Sequence, residues 1–203
     1  VIDNSSKWLE EDLGPLLTGE HRENMQLLRG RVRRLEKLLD DLLQFSRIGR
    51  EAAGTEIISG AELVDNVLAL VDVPDGFEVV VAAKFREISV YLMPLQQIMM
   101  NLISNALKHH DKKTGRIELT VADHGSHHAF SVKDDGPGIP VQFHDRIFKM
   151  FQTLRPRDQV EGSGMGLAIV RKQIELSGGS YVLESSVGEG TTFHFTLPTP
   201  ERA

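Results

Sequence analysis

Gln97, Asn101, Asn105 and Lys108 recur at intervals of three or four. At about 100° per residue, that spacing puts them in one narrow arc of a helix. Leu95, Ile98, Met99, Leu102, Ile103, Ala106 and Leu107 fill the remaining, much wider arc. A solvated face more often carries Glu and Lys, so a stripe of amides ending in a cation has two readings. One is a buried helix with a few satisfied core amides. The other is a ligand edge. An amide oxygen suits a hard cation such as Mg²⁺, which takes most of its shell from phosphate and water. Lys108, one turn on, would meet a phosphate as a point charge.

Two further segments carry chemistry. In "VKDDGPGIP" (132–140) a strand ends in Asp134, with Gly136 and Gly138 following at alternate positions. The carboxylate can accept a hydrogen bond from an exocyclic amine, and the glycines let a flat ligand come close. Taken alone, the segment also reads as a tight turn with a capping aspartate. In "EGSGMGLAIV" (161–170) Gly162, Gly164 and Gly166 alternate just before a helix. Backbone N–H groups at a helix start attract anions, and glycines let a phosphate approach. The segment is neither a dinucleotide fingerprint, since no parallel βαβ unit precedes it, nor a P-loop, since the Gly-Lys-Ser/Thr ending is missing. Together the three segments supply a cation and phosphate helix, an acceptor for adenine, and a phosphate cradle.

Two regions must position these residues. In residues 1–50, Met25, Leu28, Val32, Leu35, Leu39 and Leu42 step by three and four, a heptad seam. Leu38, Leu43 and Phe45 widen the stripe as in a helical bundle. "SSKWLEEDLG" reads as the last turns of an earlier helix ending at Gly14–Pro15, so the region is expected to be part of a helical hairpin. Its exposed seam calls for a partner, most simply a second copy of the chain. Residues 47–54 have the composition of a hinge. Residues 51–203 alternate strand and helix patterns and predict an α+β domain, a mixed, mostly antiparallel sheet with helices on one face. The predicted helices run over residues 61–71, 94–109 and 166–177, and the predicted hairpins over 116–135 and 180–198.

Composition narrows the function classes. The net charge of −6 does not suggest a nucleic-acid-binding surface. Cysteine is absent, which excludes thiolate chemistry and disulfides. No apolar run approaches the ~20 residues of a membrane span. The chain starts at Val1 rather than methionine and is expected to be part of something longer.

"QQIMMNLISNALKHH", "DDGPGIP", "RIFKMF" and "GSGMGLAIV" resemble the four successive boxes of the sensor histidine kinase ATP-binding domain, within the gyrase, Hsp90, histidine kinase and MutL superfamily. "VGEGTTFHFTLP" resembles its closing hairpin. "RRLEKLLDDLLQFSRIG" resembles the second helix of the dimerisation and phosphotransfer hairpin. The resemblance implies a Bergerat-type α/β sandwich with ATP and Mg²⁺ as ligands. It implies that Asn105 coordinates Mg²⁺ with Asn101 in support, and that Lys108 contacts phosphate. Asp134 would accept from the adenine amino group, with Gly136 and Gly138 beside the ring. Residues 139–161 would form a lid anchored by Phe148 and Phe151. Gly162, Gly164 and Gly166 would cradle phosphates, with Met165 and Leu167 in the same box. Arg146, Lys149, Arg155 and Arg157 are lower-ranked candidates to reach the γ-phosphate. It further implies a homodimer through the hairpin, a response regulator receiver domain as partner, and a cytoplasmic placement.

Two departures stand out. His109 occupies a position usually held by another aromatic residue, where an imidazole can still contact phosphate or ribose. No His-Glu/Asp-Leu-Arg-x-Pro-Leu motif is present, so the phosphoacceptor is expected upstream of Val1, and His21 is expected at an exposed helix start. Superfamily ATPases resemble this helix but keep a glutamate one turn before the Mg²⁺ asparagine to activate water. Asn101 stands there, and an amide cannot act as a general base. A docking scaffold without catalysis, a serine-directed anti-sigma kinase and a zinc site at His124, His127 and His128 are the weaker alternatives.

Overall fold

The computed structural model describes residues 7–8, 11–14, 18–49, 56–154 and 162–200. The expected Gly14–Pro15 turn, the hinge over 47–54, and Arg155 and Arg157 of the lid lie partly or wholly outside these residues.

Helix α1 (Gly19–Arg47) is 29 residues long. Thr18 caps it, its hydroxyl lying 2.8 Å from Nδ1 of the exposed His21 in the first turn. None of the described residues of α1 is buried. Leu28, Leu35, Leu39 and Leu42 of the heptad seam all face solvent. An exposed leucine row at this spacing is what a coiled-coil or bundle partner covers.

The rest folds around one sheet. Strand β1 (Ile57–Ser59) leads into α2 (Gly60–Leu70), then β2 (Phe77–Val81) and the short helix α3 (Ala83–Glu87). Strand β3 (Ser89–Tyr91) precedes α4 (Leu92–His109), and β4 (Gly115–Asp123) and β5 (His127–Asp134) follow. A single 3₁₀ turn (Val141–Phe143), α5 (Gly166–Leu176), β6 (Tyr181–Ser186) and β7 (Gly190–Pro198) complete the order.

The five-stranded sheet runs β2-β4-β5-β7-β6, with β2 and β4 parallel and the other pairs antiparallel. The first and third strands form a separate two-stranded antiparallel pair. Alternation decides which face is covered. Ile117, Leu119, Phe130, Val132, Phe193, Phe195 and Leu197 are buried, while their neighbours Glu118, Thr120, Ser131 and His194 are more accessible. One apolar face therefore takes the helices and the other faces water. Phe130 and Phe195 stack at 5.1 Å between ring centroids on the covered face. The observed fold agrees with the expected α+β sandwich. The predicted helix start at Pro94 also agrees, because Met93 has non-helical angles (φ −106°, ψ 135°).

Candidate functional site

Helix α4 buries Leu95, Ile98, Met99, Leu102 and Ile103 and leaves its amide stripe on the opposite edge. Asn101 donates from Nδ2 to the Gln97 carbonyl at 3.0 Å. With that amide nitrogen occupied one turn back, Oδ1 points outward, toward the start of α5. A Cβ placed on Gly166 would lie 3.0 Å from Asn101 Oδ1 and 3.6 Å from Asn105 Nδ2. Glycine at 166 therefore lets the start of α5 approach both asparagines. The residue at the N-cap of α5, Met165, makes no side-chain capping hydrogen bond, so the first turn, which begins beside the two asparagines, is not closed by its own cap.

Asp134 ends β5 directly across from Thr191 of β7. Its Oδ1 accepts from the Gly136 N–H at 2.9 Å. Burial raises its carboxyl above the ordinary value, against the lowering effect of the Gly136 and Thr191 N–H groups. Gly138 adopts φ +69°, and a Cβ there would sit 1.9 Å from the Ser186 carbonyl, so only glycine fits this turn.

These groups border one cleft of about 520 Å³. Asn101, Asn105, Lys108, His109, Asp134, Gly138, Gly162, Gly164, Gly166 and Leu167 all line it. Val132, Ile147, Leu183 and Phe193 form an apolar wall near Asp134, suited to a flat ring. The volume lies within the usual span for small-molecule sites.

Three of the expected residues do not line the cleft. Gly136 is buried and bonded to Asp134. Met165 is fully buried beneath the glycine turn, its N–H donating to Ser163 Oγ at 3.1 Å. Phe148 is 8% exposed and packs on Tyr181 at 5.0 Å and Phe193 at 5.8 Å, tying the segment after Gly138 to the sheet. Phe151 differs, being 40% exposed with φ +62°, a rare backbone state for a side-chain-bearing residue. Arg146 donates to Gln152 Oε1 at 3.2 Å.

Lys37, Asp41 and Gln44 of α1 also border the cleft. None of the three belongs to the heptad seam or to the three chemistry-bearing segments. Only the fold brings them over the amide stripe. Lys37 and Asp41 form an i,i+4 pair at 4.0 Å.

A family model described as "Histidine kinase-, DNA gyrase B-, and HSP90-like ATPase" matches residues 92–201. The chain is 36% identical over 172 residues to the phytochrome-like protein Cph1 of Synechocystis, covering 81% of this chain and 22% of that one. It is 33% identical over 197 residues to the methanogenesis regulatory histidine kinase FilI of Methanothrix harundinacea, covering 95% of this chain and 22% of that one. The chain thus spans about a fifth of the length of these relatives. Among solved structures, full-length ShkA in complex with AMPPNP superposes with a TM-score of 0.65 at 30% identity, over 92% of this chain and 40% of that one. The catalytic domain of the histidine kinase ThkA superposes at 0.56 and 26% identity, over 72% of this chain and 97% of that one.

Proposed function

Because the chain belongs to the family of histidine kinase-, DNA gyrase B- and HSP90-like ATPases, we propose that it is the ATP-binding catalytic part of a sensor histidine kinase, passing the γ-phosphate to a histidine on a helical hairpin. The observation that carries this reading is Asn101. It lies one turn before Asn105, on the cleft, with Nδ2 held by the Gln97 carbonyl. An amide so placed cannot deprotonate water, so this position lacks the base that hydrolysis would draw on there. Transfer to a protein nucleophile then rests on positioning and charge neutralisation.

The donor set fits Mg²⁺ in the way such nucleotide sites hold it. Asn101 turns its neutral Oδ1 toward the start of α5, where Asn105 presents Nδ2, so the Asn105 oxygen would be offered from the other side of its amide. Among the described residues no group of three or more carboxylates or histidines forms a metal cage. Such a site leaves most of the ion's shell to phosphate and water. When bound, the ion supplies neutralisation of the phosphate charge. Lys108 and the N–H groups of the Gly162–Gly166 turn take the remaining phosphate oxygens. Asp134 accepts the adenine amino group, and the wall around Phe193 takes the ring.

The exposed leucines of α1 support a homodimer, and the relatives support a response regulator as the downstream partner. No helix among the described residues is long and apolar enough to cross a membrane, and a cytoplasmic placement belongs to the same proposal.

The test is calorimetric titration with ATP, with and without Mg²⁺, followed by incubation with γ-labelled ATP and a histidine-bearing hairpin supplied in trans. Binding that strengthens with Mg²⁺, and acid-labile label on the hairpin, are expected. Release of free phosphate alone would return the ATPase reading, and no binding would leave only a scaffold.

A further inference from the structure

His110 follows the last residue of α4, and its side chain is only 1% exposed. Nδ1 accepts the Lys112 N–H at 3.1 Å. That bond needs the Nδ1 lone pair, so the ring proton sits on Nε2. Nε2 then donates to Asp135 Oδ1 at 3.1 Å. The same carboxylate oxygen accepts the Arg116 N–H at 2.7 Å. Asp135 is held below its ordinary carboxyl value, first by that Arg116 N–H and further by His110. The Phe77 ring meets the imidazole edge-on at 5.0 Å.

Space has been cleared for this contact. A Cβ on Gly115 would come within 2.6 Å of His110 Nε2, and one on Gly136 within 3.4 Å of its Cδ2. The imidazole is therefore wedged between the start of β4 and the turn after Asp134. Asp135 is the immediate neighbour of Asp134, and His110 lies two residues beyond Lys108.

We propose that His110 is a positioning residue for base selection: its hydrogen bond to Asp135 ties the end of the phosphate-handling helix to the turn carrying the adenine acceptor. The bond fixes Asp134 relative to Asn105 and Lys108, so that a nucleotide anchored by its phosphates presents its exocyclic amine at the carboxylate. This rests on the nucleotide-binding reading above. Cutting the bond removes no cleft-lining group, since neither His110 nor Asp135 borders the cleft, but it lets the two ends of the site drift. Loss then falls on discrimination between bases more than on phosphate affinity.

The experiment measures Kd for ATP and for ITP, which carries a carbonyl in place of the adenine amine. The variants are His110→Ala, Asp135→Ala, the double substitution, and the conservative pair His110→Gln and Asp135→Asn. Each single alanine variant is expected to reduce the ATP-over-ITP preference by about 3- to 10-fold, with the double no worse than either single. The Gln and Asn variants, which keep a donor or an acceptor in place, should retain most of the preference. Asp135 is 55% exposed, so its alanine variant folds even where the buried histidine's does not. An unchanged preference in Asp135→Ala, or losses that add in the double, would overturn the proposal and leave His110 as packing. If the unaltered chain binds neither nucleotide, the nucleotide reading itself fails, an outcome distinct from binding without base preference.

Discussion

Lys172 of α5 reaches across to the last turn of α1. Its ammonium lies 4.1 Å from the Phe45 ring centroid and donates to the Phe45 carbonyl at 2.7 Å. A cation at a helix C-terminus answers both the ring face and the terminal carbonyls. The contact joins the heptad helix to the helix that begins at the glycine-rich turn. It also explains how Lys37, Asp41 and Gln44 come to border the cleft.

Replacing Lys172 with methionine keeps the stem and removes the charge. The loss expected is about 1 kcal/mol of docking. Backbone amides over 42–49 should then exchange with solvent several-fold faster, while those of β4, β5 and β7 stay as they were. Unchanged exchange over 42–49 would show that other contacts hold α1 in place.

The carboxyl of Asp134 has an unusual stability signature. Its pKa in the folded chain is raised above the ordinary 3.8, with burial as the largest cause. The folded state therefore binds its proton more tightly than the unfolded chain does. Stability is lost as pH rises from about 3.8 through the raised value, the reverse of a salt-bridged aspartate. Asp134→Asn removes this penalty. Its melting temperature relative to the unaltered chain should become more favourable as pH goes from 4 to 7, while ATP affinity at pH 7 falls at least about 5-fold. A pH-independent difference would mean the carboxylate is better solvated than its surroundings imply.

Leu35 and Leu39 are each 60% exposed on α1. If a second copy covers this row, glutamate at both positions places four like charges in the seam of a dimer. Sedimentation should then shift from dimer to monomer, with ATP binding retained, since neither leucine borders the cleft. A monomeric unaltered chain, or a double variant that still dimerises, would remove α1 as the dimer contact.

Much of this was legible in the sequence because it was periodic or motif-bearing. The amide stripe fell on one edge of α4 because the three- and four-residue spacing left no other helical arrangement. The strands from residue 115 onward alternated cleanly, as expected of a sheet covered on one face. The third strand and third helix, with three and five residues, were too short to show a period. Met165 and Phe148 shared motif boxes with cleft residues, yet their apolar bulk is buried away from the cleft lining. Lys37, Asp41 and Gln44 carried no local signal, because their role arises from how α1 docks on α5. The His110–Asp135 bond was hidden for the same reason, its partners being 25 residues apart.

The glycines of the turn before α5 separate structural from ligand demands. Gly164 has φ +73°, and a Cβ there would lie 2.7 Å from the Gln152 carbonyl. Gly164→Ala should cost about 1–3 kcal/mol of stability with or without nucleotide. Gly162 borders the same cleft, yet a Cβ on it would meet nothing within 4 Å. Packing therefore gives no reason for glycine at 162, whereas under the proposed nucleotide site a phosphate passing close to its backbone would. Gly162→Ala should melt within about 0.5 kcal/mol of the unaltered chain while binding ATP several-fold more weakly. Thermal melts and calorimetry on the two variants check this directly. Undiminished ATP affinity in Gly162→Ala would move the phosphates away from the first glycine of the turn, toward Gly166 and the start of α5.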